Sequence, residues 1–369
     1  MIRVRLIVNA DVRRDAYTVD EAKVISLGSA SRALKELSTW PGYAVSPLRE
    51  LPGMAHRLGI GSLICKDETL RFGLGSFKAL GGAYAAGLAL NRHTSAGYAA
   101  TLCCATDGNH GQSVAYGARR YGCRCVIFVH QHAPASKVTA MRALGAEVIR
   151  VAGNYDDSVR HARRVAAEQG WLLISDTSDL VSDAVAAEVT QGYGVMALEI
   201  LEQLDGHLPT HVFLQAGVGG LAAAIAGCFA ESAAAARPRA IVVEPQAAAC
   251  VMQNAIVHGP SHVAGDLATN MAMLSCGEAS APAWVVLRHR ADAFMSISDD
   301  DADDAVAWLA NSTDVPGSIK TTPSGAAGLA GAIAACRDPT SAARLELAED
   351  SRVLIFVTES ADRATGNGE

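Results

Sequence analysis

The chain has 369 residues, half of them apolar and 19% charged, so it can bury a large core and is neither disordered nor fibrous. Thirty-one Lys and Arg against 38 Asp and Glu leave a net charge of -7, with no basic block to track a phosphate backbone; nucleic acid is excluded as an expected partner. Nine Cys are too few and too odd in number for a disulfide scaffold, and Met1 to Val8 lacks a signal-peptide pattern, which predicts a reducing cytoplasm.

The first 40 residues predict little beyond a strand and a helix. Ser62 to Cys65 reads as a strand, followed by the polar Lys66-Asp67-Glu68 and then Gly73-Leu74-Gly75-Ser76-Phe77-Lys78-Ala79-Leu80-Gly81-Gly82. Ser76 is placed to cap a helix, which puts Lys78 in the first turn, where the positive end of the macrodipole disfavours another positive charge. A plain exposed lysine fits this position. So does an amine that chemistry needs deprotonated or condensed as an imine.

Cys103 to Ala105 reads as a strand, and Thr106-Asp107-Gly108-Asn109-His110-Gly111 as a turn into a helix starting near Gln112. Glycines around short polar residues there bring backbone amides close to a ligand. Strands follow at Cys123 to Val129, Glu147 to Val151 and Trp171 to Ile174, with helices near Ser136 to Leu144 and Tyr155 to Gln169. A second series has strands at His211 to Gln215, Ala240 to Val243, Ala293 to Ile297 and Arg352 to Val357. Its helices run over Gly220 to Ala235, Asp299 to Ala310 and Ser324 to Arg337, with Ser298 as an N-cap. This alternation predicts parallel βαβ units. The apolar run Val212 to Ala230 is mostly Ala and Gly and is broken by Gln215, so it reads as strand, glycine loop and helix rather than a membrane span.

The loop Gln215-Ala216-Gly217-Val218-Gly219-Gly220 presents N–H groups to a phosphate at a helix N-terminus. It also fits the form G-x-G-x-x-A with Glu244 ending the next strand, so a nicotinamide-dependent oxidoreductase is the reading from a different class. That reading leaves the lysine and the Asp-Gly-Asn-His-Gly turn unexplained. Cys123-Arg124-Cys125 and His130-Gln131-His132 lack the spacing of a metal site, and no metal is predicted.

These pieces, in this order, resemble the pyridoxal-phosphate enzymes of the tryptophan synthase β-subunit fold type, the threonine and serine dehydratase group. Within it they are most similar to the diaminopropionate ammonia-lyases. The similarity is carried by Arg71-Phe72-Gly73-Leu74, the Thr106 to Gly111 turn, Asn154-Tyr155-Asp156-Asp157, Asp176-Thr177, Gln191-Gly192-Tyr193, Leu214 to Gly219 and Cys276-Gly277-Glu278, and spans roughly residues 45 to 360.

The resemblance implies an α/β protein of two doubly wound three-layer domains with pyridoxal phosphate between them, a smaller one over 86–204 and a larger one from 1–85 and 205–369. It implies that Lys78 forms the Schiff base with the cofactor, with Phe77 beside it. Gly217, Val218, Gly219 and Gly220 would hold the phosphate, Asn109 the phenol oxygen, and Thr358 would face the pyridine nitrogen. Ser76, Thr106, Asp107, Gly108 and His110 would surround the substrate carboxylate. Asp107 and Asp176 match the two active-site carboxylates, one a base at Cα and one an acid for the leaving amine; alone, each reads equally as a turn or cap residue. His110 reads as a turn residue packed near the cofactor.

The implied reaction converts 2,3-diaminopropionate to pyruvate and two ammonia in a homodimer with no nucleic-acid or membrane partner. A serine, threonine or hydroxyaspartate dehydratase, or a β-replacement synthase, is the alternative on the same fold. The sequence departs from the family at Ser178 to Asp183, at Pro323 and at Ser360, all on the substrate side. Asp179 and Asp183 there read as a solvated helix start or as partners for an extra cation.

Overall fold

The computed structural model describes residues 5–93, 100–106, 108–153, 155–315 and 317–361. Eleven strands are present among them: β1 (Arg5–Val8), β2 (Leu48–Glu50), β3 (Ser62–Asp67), β4 (Thr101–Ala105), β5 (Arg124–His130), β6 (Glu147–Val151), β7 (Leu172–Leu173), β8 (His211–Gln215), β9 (Arg239–Pro245), β10 (Ala293–Ile297) and β11 (Arg352–Val357). They form a seven-stranded sheet in the order β1-β10-β9-β8-β11-β3-β2 and a four-stranded sheet in the order β6-β5-β4-β7.

The smaller sheet is parallel throughout, and so are the five central strands of the larger one. Parallel strands covered by helices on both faces lose the polar alternation of a half-exposed strand. Accordingly, all five residues of His211–Gln215 and of Ala293–Ile297 are buried. The antiparallel edges β1 and β2 are short and partly exposed, which limits pairing with another chain.

Small residues let the helices between the sheets approach closely. A Cβ on Gly117, in the helix Asn109–Tyr121, would lie 2.9 Å from Ala83 Cα in the helix Lys78–His93. A Cβ on Gly192, in the helix Ala184–Gln203, would lie 2.7 Å from Gly81 Cα. The same helix carries Glu199 into a buried ionic cluster with Lys66, Glu68 and Arg71 at the end of β3. Two cations and two carboxylates balance there, and Ser46 supplies a hydroxyl to both acids. That cluster fixes the segment leading to Lys78, in which Phe72 adopts a left-handed conformation at φ 52°.

Candidate active site

The carboxyl ends of β8 and β11 face the start of the helix Lys78–His93, and Ser76, Phe77, Lys78, Thr358 and Asp176 are drawn together there. Ser76 accepts a hydrogen bond from the Lys78 amide at 3.3 Å, as a cap should, and pairs through its backbone with Glu359. The Phe77 amide donates to the Thr358 carbonyl at 3.1 Å. Lysine and threonine are thereby held on adjoining backbone.

Lys78 Nζ lies 2.5 Å from Asp176 Oδ2, with about a fifth of each side chain accessible. Burial acts to lower the Lys78 pKa, but the charge of Asp176 and the neighbouring Tyr193 hydroxyl outweigh it and hold the amine above its usual range. Burial likewise acts to raise Asp176, and the charges of His110 and Lys78 hold it below its ordinary value. The resting pair is therefore ammonium against carboxylate. Such an amine must shed a proton before it can attack a carbonyl carbon, and Asp176 is the adjacent acceptor.

The turn after β4 differs from its sequence reading. The helix begins at Asn109, not near Gln112, so Asn109 and His110 occupy its first turn and their amides are free of intrahelical partners. Gly108 caps it without a side chain, while Thr106 Oγ1 accepts from the Gly108 amide at 3.2 Å. Asp107 lies outside the described residues. His110 is buried; Nε2 sits 2.9 Å from the Ile174 carbonyl, which only accepts, so Nε2 carries a proton. Nδ1 has no hydrogen-bond partner and lies 3.9 Å from Asp176 Oδ2. His110 thus packs in the first turn of the helix with Nδ1 turned toward Asp176.

Asn109 Nδ2 donates to the buried carboxylate of Glu359, whose other oxygen accepts from Thr322 Oγ1. This fixes which end of the Asn109 amide is the donor. Beside it, the buried Thr358 hydroxyl accepts from Gln215 Nε2 at 3.3 Å; that nitrogen also donates to the Gly325 and Phe356 carbonyls, at 3.0 and 3.1 Å, and Gln215 Oε1 has no partner.

Gly217 to Gly220 run from β8 into the helix Gly220–Ala233. Gly219 needs its left-handed φ of 96°, and the Val218 carbonyl accepts from Ser280 N at 2.9 Å. Met273 spans the two loops: a Cβ on Gly108 would lie 2.8 Å from its sulfur, and one on Gly217 3.3 Å from its carbonyl oxygen. Met273, Gln215, Glu359 and Tyr193 are site residues that the sequence reading assigned no role. Gln215 carried a signal, as a polar residue closing an apolar strand.

Two other sequence readings meet definite geometry. Glu244 accepts from the amides of Val251 and Met252 at 2.7 and 2.8 Å, and burial pushes its carboxyl up to about 8 despite those bonds. It caps the helix Cys250–Val257 instead of waiting for a ribose hydroxyl. Asp183 caps the helix Ala184–Gln203 through Val185 and Ala186, and Asp179 is exposed. Asp183 is thus the helix start, and Asp179 lies in the loop before it.

The sequence profile of the family described as pyridoxal-phosphate dependent enzyme matches residues 39–359. The chain belongs to this family. Diaminopropionate ammonia-lyase of Salmonella typhimurium is 39% identical over 282 residues, 70% of each chain. The Escherichia coli protein of the same name is 35% identical over 337 residues, 86% of this chain and 85% of the relative. The crystal structure of the Escherichia coli enzyme in complex with an aminoacrylate-PLP azomethine reaction intermediate superposes with a TM-score of 0.88 at 31% identity, covering 98% of this chain and 94% of that one.

The residues fit pyridoxal phosphate. An amine at Lys78, a glycine cradle at a helix N-terminus for a dianionic phosphate, a fixed amide at Asn109 and a neutral hydroxyl at Thr358 suit the aldehyde, phosphate, phenol and pyridine of that cofactor. No helix among the described residues is long and apolar enough to cross a membrane.

Proposed function

We propose that this protein is a diaminopropionate ammonia-lyase, converting 2,3-diaminopropionate and water to pyruvate and two ammonia. The observation that carries the reading is the ion pair of Lys78 and Asp176. A carboxylate held ionised beside the reacting amine attracts a substrate whose β-substituent is an ammonium, and it gives no such preference to the neutral hydroxyl of serine or threonine. The named relatives, matched over 70% and 86% of the chain, support the same choice.

When bound, the cofactor supplies an electron sink that stabilises negative charge at the substrate Cα. Lys78 anchors it and exchanges a proton at Nζ. Asp176 holds the β-ammonium and keeps a proton on the departing nitrogen. Asp107 takes the role of base at Cα by its resemblance to the family carboxylate. The free amides at Asn109 and His110, with Ser76, Thr106 and Gly108, receive the substrate carboxylate. The Gly217, Val218, Gly219 and Gly220 amides hold the phosphate, and Phe77 packs beside the anchor. Thr358, being neutral, leaves the pyridine nitrogen unprotonated, which disfavours a long-lived carbanion and suits rapid β-elimination.

The smaller domain over 86–204 contains all of β4 to β7, and the larger domain, 1–85 with 205–369, contains the other seven strands. The cofactor lies between them. A cytoplasmic location is supported by nine free thiols, and a homodimer by the family resemblance. Incubation with diaminopropionate, serine, threonine and hydroxyaspartate, with ammonia and keto acid measured, tests the reading. Two ammonia per pyruvate from diaminopropionate alone is expected; a preference for a hydroxy amino acid, or consumption only with an added nucleophile, contradicts it.

A further inference from the structure

Gln215 closes β8 as a buried polar residue, and the reaction proposed above gives it no task. Its Nε2 faces three oxygens: the Gly325 carbonyl at 3.0 Å, the Phe356 carbonyl at 3.1 Å and the Thr358 hydroxyl at 3.3 Å. The two amide hydrogens are shared among them. Oε1 lies against the helix Pro323–Arg337, where a Cβ on Gly328 would come within 2.8 Å of it, and it has no hydrogen-bond partner. Leaving an amide oxygen buried and unpaired costs stability. Turning the amide over would cost more, because Oε1 would then meet two carbonyls that can only accept. The face that Gln215 shows to Thr358 is therefore fixed as an N–H donor.

That fixed donor limits what the Thr358 hydroxyl can do. A hydroxyl has one hydrogen and two lone pairs, so beside a ring nitrogen it can donate to the bare nitrogen or accept from a protonated one. Accepting from a protonated ring requires the hydroxyl to send its own hydrogen to another acceptor. The amide nitrogen of Gln215 offers none, and the buried Thr358 hydroxyl has no hydrogen-bond acceptor among the described residues. The arrangement left to it points the hydrogen at the cofactor.

We propose that Gln215 is a positioning residue that acts through Thr358, compelling its hydroxyl to donate to the pyridine nitrogen and so holding that nitrogen unprotonated. The proposal rests on the reading above that Thr358 faces the pyridine. A neutral threonine withholds a counter-charge from a protonated ring; Gln215 also withdraws the hydrogen-bond acceptor that such a ring would need.

Ring protonation is read from the nitrogen-15 NMR signal of protein loaded with pyridoxal phosphate labelled at the pyridine nitrogen, recorded against pH. The wild-type signal is expected at the position of an unprotonated, hydrogen-bonded pyridine at neutral pH. Gln215→Met keeps a side chain of similar length and removes the amide, so the hydroxyl is free to turn to the vacated carbonyls and accept from the ring. The ring nitrogen is then expected to titrate at a pH about one unit or more above any wild-type transition. A Gln215→Met signal that titrates as in the wild type overturns the proposal and leaves Gln215 a structural bond to two carbonyls, whatever happens to the melting temperature. Thr358→Val reads the premise separately: loss of the donor is expected to move the signal to higher frequency, and an unmoved signal overturns premise and proposal together. If Gln215→Met does not accumulate as folded protein, the wild-type signal carries the test alone, and a ring protonated at neutral pH overturns the proposal.

Discussion

The Arg71 guanidinium donates to Glu199 Oε1 and Oε2 at 2.8 Å each, joining residues 128 apart in sequence. Arg71 also donates to both oxygens of Glu68, and Lys66 Nζ lies 2.7 Å from Glu199 Oε2. With these side chains almost wholly buried, the cluster holds the Glu68 to Leu74 segment against the helix Ala184–Gln203. Truncating Arg71→Ala strands two carboxylates in the core and is expected to cost about 3–5 kcal/mol, read as a lower urea midpoint with the slope unchanged. Arg71→Lys recovers only part, because one ammonium cannot satisfy both acids in the plane of the guanidinium fork.

The same cluster sets a pH dependence of stability. Burial acts to raise Glu199, but the hydrogen bonds from Arg71 and the charges of Arg71 and Lys66 bring it down to about 2. A carboxyl depressed in the folded state stabilises fully above its unfolded pKa, and that contribution is lost as pH falls through the folded value. Thermal melting of the wild type is expected to drop between roughly pH 4.5 and pH 2. In Glu199→Gln, less stable at neutral pH, that drop is expected to be shallower.

Close helix contact makes its own prediction. Gly192→Ala places a methyl 2.7 Å from Gly81 Cα and 2.9 Å from the Leu80 carbonyl carbon, both backbone atoms that move only if the helices separate. A loss of about 1–3 kcal/mol is expected, together with weaker cofactor binding as Lys78 shifts. Gly259→Ala, with no atom within 4 Å of the new methyl, is the control and should leave the melting temperature within a degree or two.

The sequence carries the parallel core clearly because strands such as Phe213 and Leu214 of β8 or Phe294 and Met295 of β10 are buried on both faces and form unbroken apolar runs. The site loops are legible for a related reason: glycines and polar residues punctuate the strand ends at Gly217 and Gly108. The helix Ala184–Gln203 escaped the sequence reading because it is buried nearly all round and its apolar residues keep no single face. Tyr193 and Glu199 were lost with it. The early start at Asn109 was hidden because Gly108 offers no capping side chain. The Arg71 cluster depends on partners far apart in sequence, which local pattern does not reveal.

Asp176→Asn removes the anion that faces Lys78 and the group that keeps the departing nitrogen protonated. A fall in kcat of roughly 10²–10⁴ is expected. Because Asp176 is held below its ordinary value of 3.8, the wild type should show no acid limb from this group until well below pH 4. The kcat/KM profile of both proteins from acid to alkaline pH checks the two statements together.

Lys78 is one of six lysines in the chain, which makes its role directly accessible to chemistry. Protein loaded with pyridoxal phosphate is reduced with borohydride, digested and mapped by mass spectrometry. The phosphopyridoxyl group is expected on Lys78, and Lys78→Ala should lose both the label and the visible absorption band. A label on Lys23, Lys35, Lys66, Lys137 or Lys320, or none on a protein that still eliminates ammonia, contradicts the account.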